Sequence, residues 1–551
     1  MQKVLTAAEM REVDRLTTEG YGVPSIILME NAAHAVADVA TEKLGGSVEG
    51  RSILIFCGKG NNGGDGAAVA RLLSYAGAQV AVVLFGKVGD TGCDARVNFE
   101  IVEALSKTEA DSDQPHIVVF EVVTHDDWEK MRHQHSALMQ PDLVIDAMFG
   151  TGLTKPLAGL FETVVDWIAE IVGDASGKRP TVLSIDIPSG LTADSPLPIG
   201  PHVTADTTVT FTSPKPANVL PPASVSNGEL VVMQIGSPQV LIDEQPSQLY
   251  VEERGDAARW SRKTEFSSDS YKNRRGHALI VAGSENYSGA AVLCGNSAIR
   301  SGVGLVTVAT PRSSKDSIVG RVVPEVMVRP LAETGSGSIS EDAVPQIEEF
   351  LKNIDAIAIG AGLSAGSEST AKFVHHFAEN RKVPTILDAD ALTLLSPFDN
   401  FGNSGGAAPP LIVTPHEGEF MRMLGTEDKN AIRDRVGAVR KFAGEHNVIL
   451  VLKGERVLIG EPGGKVVVNP TGNAGLGKAG NGDTLLGVIT GFVAQAVQMD
   501  IDIFESVTAA CYVAGMAGDI AEEKFGKRVM TASDVRDCLA DAFAELEGEL
   551  R

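Results

Sequence analysis

Along most of this chain, short apolar runs alternate with helix-patterned stretches, and that alternation leaves few folds open. The run Ser52–Cys57 (SILIFC) leads into glycines, then into a helix-like stretch at 67–76 and a second apolar run at Gln79–Leu84. The unit recurs: strands are expected at 117–122, 143–146, 182–186 and Thr207–Phe211, and helices near 94–105 and 160–171. Parallel strands need a crossover between them, so this order predicts a parallel sheet with helices on both faces. Ahead of the first run, Thr6 and Glu9 have capping-box spacing, with Met10, Val13 and Leu16 at helical period. A second helix is expected after Pro24, with Met29, Ala33, Val36 and Ala40 on one face.

The alternation lapses over a polar stretch, about 236–270, and then resumes. Strands are expected at 277–282, 305–309, 354–359, 384–388, 411–414 and 447–452, with helices at 289–300, 484–496 and 503–521. A hairpin is expected where 457–459 and 465–468 flank Pro462-Gly463-Gly464. At 551 residues the chain exceeds one hydrophobic core. The expectation is two different α/β domains, 1–235 and 271–551, joined by a boundary segment at 236–270, part of it packed on the second domain.

Charge narrows the function. A formal net charge of −25 repels a phosphate backbone, which argues against general nucleic-acid binding but not against small phosphorylated ligands. Five scattered cysteines with no CxxC pair predict reduced thiols, with neither a zinc site nor a disulfide framework. The N-terminus lacks the apolar core of a secretory signal, and no stretch is apolar enough to span a membrane. A cytoplasmic protein with no membrane partner follows by elimination.

Two glycine runs carry the chemistry. The first, Gly58-Lys59-Gly60-Asn61-Asn62-Gly63-Gly64-Asp65-Gly66, lies between a strand and a helix and includes GxGxxG. Glycines there let a ligand's phosphates approach a helix N-terminus. An ordinary dehydrogenase would hold the ribose with an acid about 20 residues on, but Leu84-Phe85-Gly86-Lys87 offers no carboxylate. Asn61, Asn62 and Asp65 supply side-chain oxygens instead, and Asp146 and Asp186 fall at strand carboxyl ends, where open α/β sheets bind ligands. Each acid alone is equally a turn or helix cap; together with the Asn-rich loop they predict a site. Oxygens of Asn62, Asp146 and Ser189 suit a hard cation.

The second run is Gly472–Thr484, ending Gly480-Asn481-Gly482-Asp483-Thr484 ahead of a helix-like stretch. Backbone N–H groups at a helix start hold anions. An aspartate there repels a phosphate, so Asp483 is either a helix cap or a base that deprotonates a hydroxyl attacking a phosphoryl group.

The first half resembles the NAD(P)H-hydrate epimerase domain, through LMENAA (28–33), GKGNNGGDG, DAMFGTGL and DIPSGL. The second resembles the ADP-dependent NAD(P)H-hydrate dehydratases, through GSENYSGAAVLCGNSAIRSGVGLVTVATP (283–311), PEVMVRPL, IGAGL, LDADAL, TPHEGEF, VLKG and the glycine run. The resemblance implies a Rossmann-like three-layer domain followed by a ribokinase-like α/β domain. It implies that Asn61, Asn62, Gly63, Gly64, Asp65, Gly150, Thr151, Gly152, Leu153, Thr154, Lys155, Pro156 and Asp186 contact a hydrated dinucleotide, with Asp186 catalytic. Asn62, Asp146 and Ser189 would hold potassium. In the second domain Ala291, Gly362, His416 and Asp483 would touch the hydrate, with Asp483 the base. Lys453, Gly454, Glu455, Arg456, Val457 and Gly482 would contact ADP, which would enter with Mg2+. Expected partners are hydrated NADH and NADPH, ADP and further copies of the chain.

The chain departs from the family at Lys478-Ala479-Gly480-Asn481, where Thr-Gly-Gly is usual. Lys478 could add a phosphate contact, or Ala479 could narrow the anion hole. Taken alone, His416 is more often a core or turn histidine, and Asp388 and Asp390 have no assigned role. The alternative function is a ribokinase-like small-molecule kinase fused to a dinucleotide-binding domain; a nucleotide sensor would have no need of Asp483.

Overall fold

The computed structural model describes residues 1–108, 116–173, 179–268, 270–399, 401 and 408–548. The chain divides into two compact units, Gln2–Ser247 and Gln248–Arg551, the latter including Met1. Both are α/β with predominantly parallel sheets, as the alternation predicts.

In the first unit every strand pair is parallel. From Ser52–Cys57 the chain builds outward through Gln79–Leu84 to Ile117–Glu121. It then returns to lay Leu143–Ala147 on the other side of Ser52–Cys57, and continues through Thr181–Ile185, Thr207–Phe211 and Glu229–Met233. The strand order therefore reverses between Ser52–Cys57 and Leu143–Ala147, the place where doubly wound sheets open a crevice. Side chains alternate across the sheet. Ile53, Ile55, Cys57, Val80, Val82 and Ile145 pack in one cluster with the helices Ser25–Lys43, Asn61–Tyr75 and Cys93–Thr108. Leu54, Phe56, Ala81, Val83 and Val144 pack on the opposite face around Trp128 and Trp167. Both faces are dry, which is why these strands read as unbroken apolar runs.

In the second unit His277–Val281 pairs in parallel with Leu305–Pro311 on one side and Ala356–Ile359 on the other, a second reversal of order. The sheet extends through Thr385–Leu387, Leu411–Val413 and Ile449–Leu452. The expected hairpin, Leu458–Gly460 with Val466–Val468, adds antiparallel strands. Helix Asn481–Met499 lies against Ser288–Arg300. Their close approach depends on glycine: a Cβ on Gly487 would stand 2.3 Å from the Cys294 carbonyl oxygen.

The polar 236–270 segment holds regular structure. Strand Leu249–Val251 pairs with Val466–Val468, and in helix Arg254–Lys263 Trp260 stacks on Phe492 at 3.7 Å. Asp269 lies outside the described residues. Among the described residues no helix is long and apolar enough to cross a membrane.

Candidate functional site

The crevice of the first unit opens into a cavity of about 660 Å³. Gly58 follows the first strand, and a Cβ there would stand 2.0 Å from the Met148 carbonyl oxygen, so the two crevice loops close up only around glycine. The helix expected from 67 begins at Asn61, which puts Asn61 and Asn62 in its first turn. A first turn tolerates glycine and asparagine because its N–H groups have no partner within the helix. Asn61, Asn62, Asp65, Gly150, Thr151, Gly152, Leu153 and Asp186 all line the cavity. Gly63 and Gly64 instead pack inward, against the Gly58 carbonyl and Ala95, and Thr154, Lys155 and Pro156 are exposed away from the lining.

Asp186 is held in the left-handed region, φ 67°, where an aspartate is strained. Its Oδ1 accepts from the buried Lys215 amine at 2.6 Å and from Thr210 at 3.1 Å. Lys215, which also donates to Thr210 Oγ1 at 2.9 Å, is absent from the sequence reading. Its signal there would have been a lysine just beyond a strand's carboxyl end. Asp14, also unforeseen, lines the cavity from helix Ala7–Tyr21, and its carboxyl is pushed up to about 6, chiefly by burial. Burial and the charges of Asp186 and Asp14 push Asp65 well above the carboxylate range.

Asp146 and Ser189 lie fully buried. Asp146 accepts from Ser189 Oγ at 2.6 Å, Ser189 N at 2.8 Å and Ser184 Oγ at 2.9 Å. The Phe149 carbonyl lies 3.2 Å from Ser189 Oγ. Carboxylate, hydroxyl and carbonyl oxygens thus converge, and the Asn62 amide nitrogen is buried with no partner. Asp146, Ser189 and Phe149 offer oxygens of the kind a hard cation takes, while Asn62 turns its Oδ1 toward Gly150, where a Cβ would stand 3.2 Å away.

In the second unit the site residues gather at strand carboxyl ends. Lys453 N donates to Pro415 O at 2.8 Å, which sets Lys453 beside His416. The Lys453 amine donates to the buried Asp388 at 2.6 Å and faces Gly482, where a Cβ would stand 3.6 Å away. Asp388 therefore anchors Lys453, a role the sequence left open. Asp390 accepts from Ser364 N at 2.9 Å and orders the loop after Gly362. Asp483 occupies the first turn of helix Asn481–Met499. Burial, then the Asp388 charge, raise its carboxyl to about 6 against the pull of Lys453. Ala291 is buried in helix Ser288–Arg300, and Gly362 has φ 64° with Tyr287 and Ala290 where a Cβ would be.

The remaining residues spread out. His416 is exposed and caps helix Glu417–Met423, its Nδ1 accepting from Gly418 N at 3.0 Å. Gly454 and Glu455 are exposed, Val457 is half-buried, and the Arg456 guanidinium donates to the Pro470 carbonyl. Lys478 donates to the carbonyls of Lys527, Arg528 and Met530 at 2.9, 2.6 and 2.9 Å, so its amine ties the glycine run to that loop.

The fold and sites define an α/β protein whose two units each set carboxyl groups and a lysine paired with an aspartate at strand ends beside a glycine-opened helix. The family described as NAD(P)H-hydrate dehydratase matches residues 278–540, and that described as YjeF-related protein N-terminus matches 25–217. The chain is 37% identical to the bifunctional NAD(P)H-hydrate repair enzyme of Moorella thermoacetica, covering 99% of this chain and 98% of that one. It is 35% identical to the enzyme of the same name from Thermofilum pendens, covering 99% and 97%. The chain belongs to the family of bifunctional NAD(P)H-hydrate repair enzymes. Among solved structures it is similar to the ADP/ATP-dependent NAD(P)H-hydrate dehydratase of Bacillus subtilis co-crystallized with ATP/Mg2+. That chain is 30% identical, with 52% of this chain and 97% of that one covered, TM-score 0.44.

Proposed function

We propose that the chain returns hydrated NADH and NADPH to use in two steps. The N-terminal domain, 1–235, interconverts the R and S hydrates. The C-terminal domain, 271–551, dehydrates the S form, converting ADP to AMP and phosphate. The observation that carries the reading is Asp483, a carboxyl raised to about 6 in the first turn of a glycine-opened helix, with the half-buried Lys453 facing that turn. Hydroxide leaves poorly at neutral pH, and a phosphate ester leaves well. Asp483 takes the hydroxyl proton, and the N–H groups of 478–482 with the Lys453 amine hold the transferred phosphoryl. The ring nitrogen then expels phosphate. ADP brings Mg2+ as its own counter-ion, with 453–457 as its contact. In the first domain Asn62, Asp146 and Ser189 would hold potassium, whose charge would fix the loops around the hydrate. The proposal carries with it a cytoplasmic location and assembly with further copies of the chain.

The test is incubation with ADP and mixed hydrates. Recovery of the reduced-nicotinamide absorbance with AMP and phosphate is expected. A stable phosphorylated product would mean a small-molecule kinase, and a clear preference for ATP would overturn the choice of nucleotide.

A further inference from the structure

Inverting a hydroxylated ring carbon makes a demand that one carboxyl cannot meet. The hydroxyl leaves from one face and water returns on the other, so a proton is given on the first face and taken on the second. Asp186 supplies one group: its Oδ1 is tied to Lys215, and its Oδ2 points toward Gly150, where a Cβ would stand 3.1 Å away. The cavity holds another carboxyl that no part of the mechanism above uses. Asp14 projects from helix Ala7–Tyr21 into the lining, and its Oδ1 is buried without a hydrogen-bond partner.

A carboxylate with an oxygen so placed is costly, and a neutral carboxyl is less so. Burial raises Asp14 to about 6, Lys215 opposes that and Asp186 adds to it. The charged or titratable groups that act on it include Lys215, Asp186 and Asp65, with Arg11 one turn earlier on its own helix, and Lys59 and Asp94 line the same cavity. Two carboxyls in one site whose surroundings separate their proton affinities divide acid from base work.

We propose that Asp14 is the second acid–base residue of the epimerase, acting on the ring face opposite Asp186. The inference rests on the epimerase reading above. In one direction Asp14 gives its proton to the departing hydroxyl. The C–O bond breaks, water leaves, and the ring-nitrogen lone pair forms the C=N bond of a cationic ring. Water adds to that carbon from the other face, and the Asp186 carboxylate takes its proton. Asp14 ends ionised and Asp186 protonated, which is the starting state for the reverse direction. Nothing is oxidised or reduced, and the pair holds one proton before and after each turnover, having passed it to the departing hydroxyl and regained one from the water that adds.

The experiment follows both epimers by chromatography on the full chain without ADP. Asp14→Asn removes no hydrogen bond, and a melting curve checks that it folds. Its rates in both directions are expected to fall about 10²–10⁴-fold, with Asp14→Glu restoring part of the loss. In the wild type, kcat/KM for both directions falls as pH rises above about 6, because the pair loses its one proton; Asp14→Asn lacks that limb in the direction for which Asp14 is the acid. Wild-type rates within a few-fold in Asp14→Asn, or a wild-type profile flat through that range, overturn the inference. A wild type that does not interconvert the epimers overturns the epimerase reading instead.

Discussion

Lys215 stands between two prolines in the sequence, and its one mark is that it follows the carboxyl end of strand Thr207–Phe211. The fold buries its amine against Asp186 at 2.6 Å. Lys215→Met leaves Asp186 with Thr210 but without its cationic partner, and breaking a buried pair this way costs about 3–5 kcal/mol. Denaturant unfolding should show that loss in the first unit, and the epimerisation rate should fall with it. Asp186, Asn62 and Asp65 were legible because they stand in motifs at predicted strand ends. Asp14 was not, since an acid on an amphipathic helix reads as solvent-facing until tertiary closure covers it. Asp483 was legible as base or cap, and burial favours the base. A base acts ionised, so dehydration should rise with pH and level off above about 6. Asp483→Asn should lower the rate about 10²–10⁴-fold with ADP binding little changed. Near-normal turnover in that variant would reduce Asp483 to a cap.

At the scale of elements, the long buried strands were legible to within a residue or two, because two dry faces leave uninterrupted apolar runs. Edge and weakly patterned elements were not. Strand Val326–Leu331 carries Arg329 and Pro330 and buries only its end residues, as an outer strand can. Helix Arg435–His446 buries only Val439, Phe442 and Ala443, too few to show a periodicity. Both glycine-opened helices start earlier than the sequence suggests, at Asn61 instead of 67 and at Asn481 instead of 484, because glycine and asparagine there read as loop. The second of these helices is set by close packing at Gly487, one turn after Asp483. Gly487→Ala places a Cβ 2.1 Å from Ser297 Oγ and 2.3 Å from the Cys294 carbonyl, which backbone cannot yield cheaply. Overpacking of this kind costs about 1–3 kcal/mol. A lower melting temperature and a reduced dehydration kcat are expected together, because the strain lifts the turn that carries Asp483. A variant as stable and active as the wild type would show that the helix pair is not what positions the base.

At the scale of the molecule, each proposed active site is made of residues from one unit alone, so the two activities should be separable by mutation. Asp146 is the test on the epimerase side. It is fully buried and gathers Ser189, Ser184 and the Met148 amide, and it is the only charged member of the proposed potassium set. Asp146→Ala leaves those donors unpartnered, at about 1–3 kcal/mol for each buried group, and takes the anion from the cation's oxygens. Conversion of the R hydrate should fall to the spontaneous rate while the S hydrate is dehydrated as in the wild type. Replacing potassium by a bulky organic cation should slow the wild-type epimerase in the same way and leave Asp146→Ala unmoved. A time course on mixed epimers, each resolved by chromatography in both buffers, reads all four rates. Loss of both activities in Asp146→Ala would mean that the units act as one catalyst. Clearance of both epimers at the wild-type rate would remove the first unit from the epimerase role.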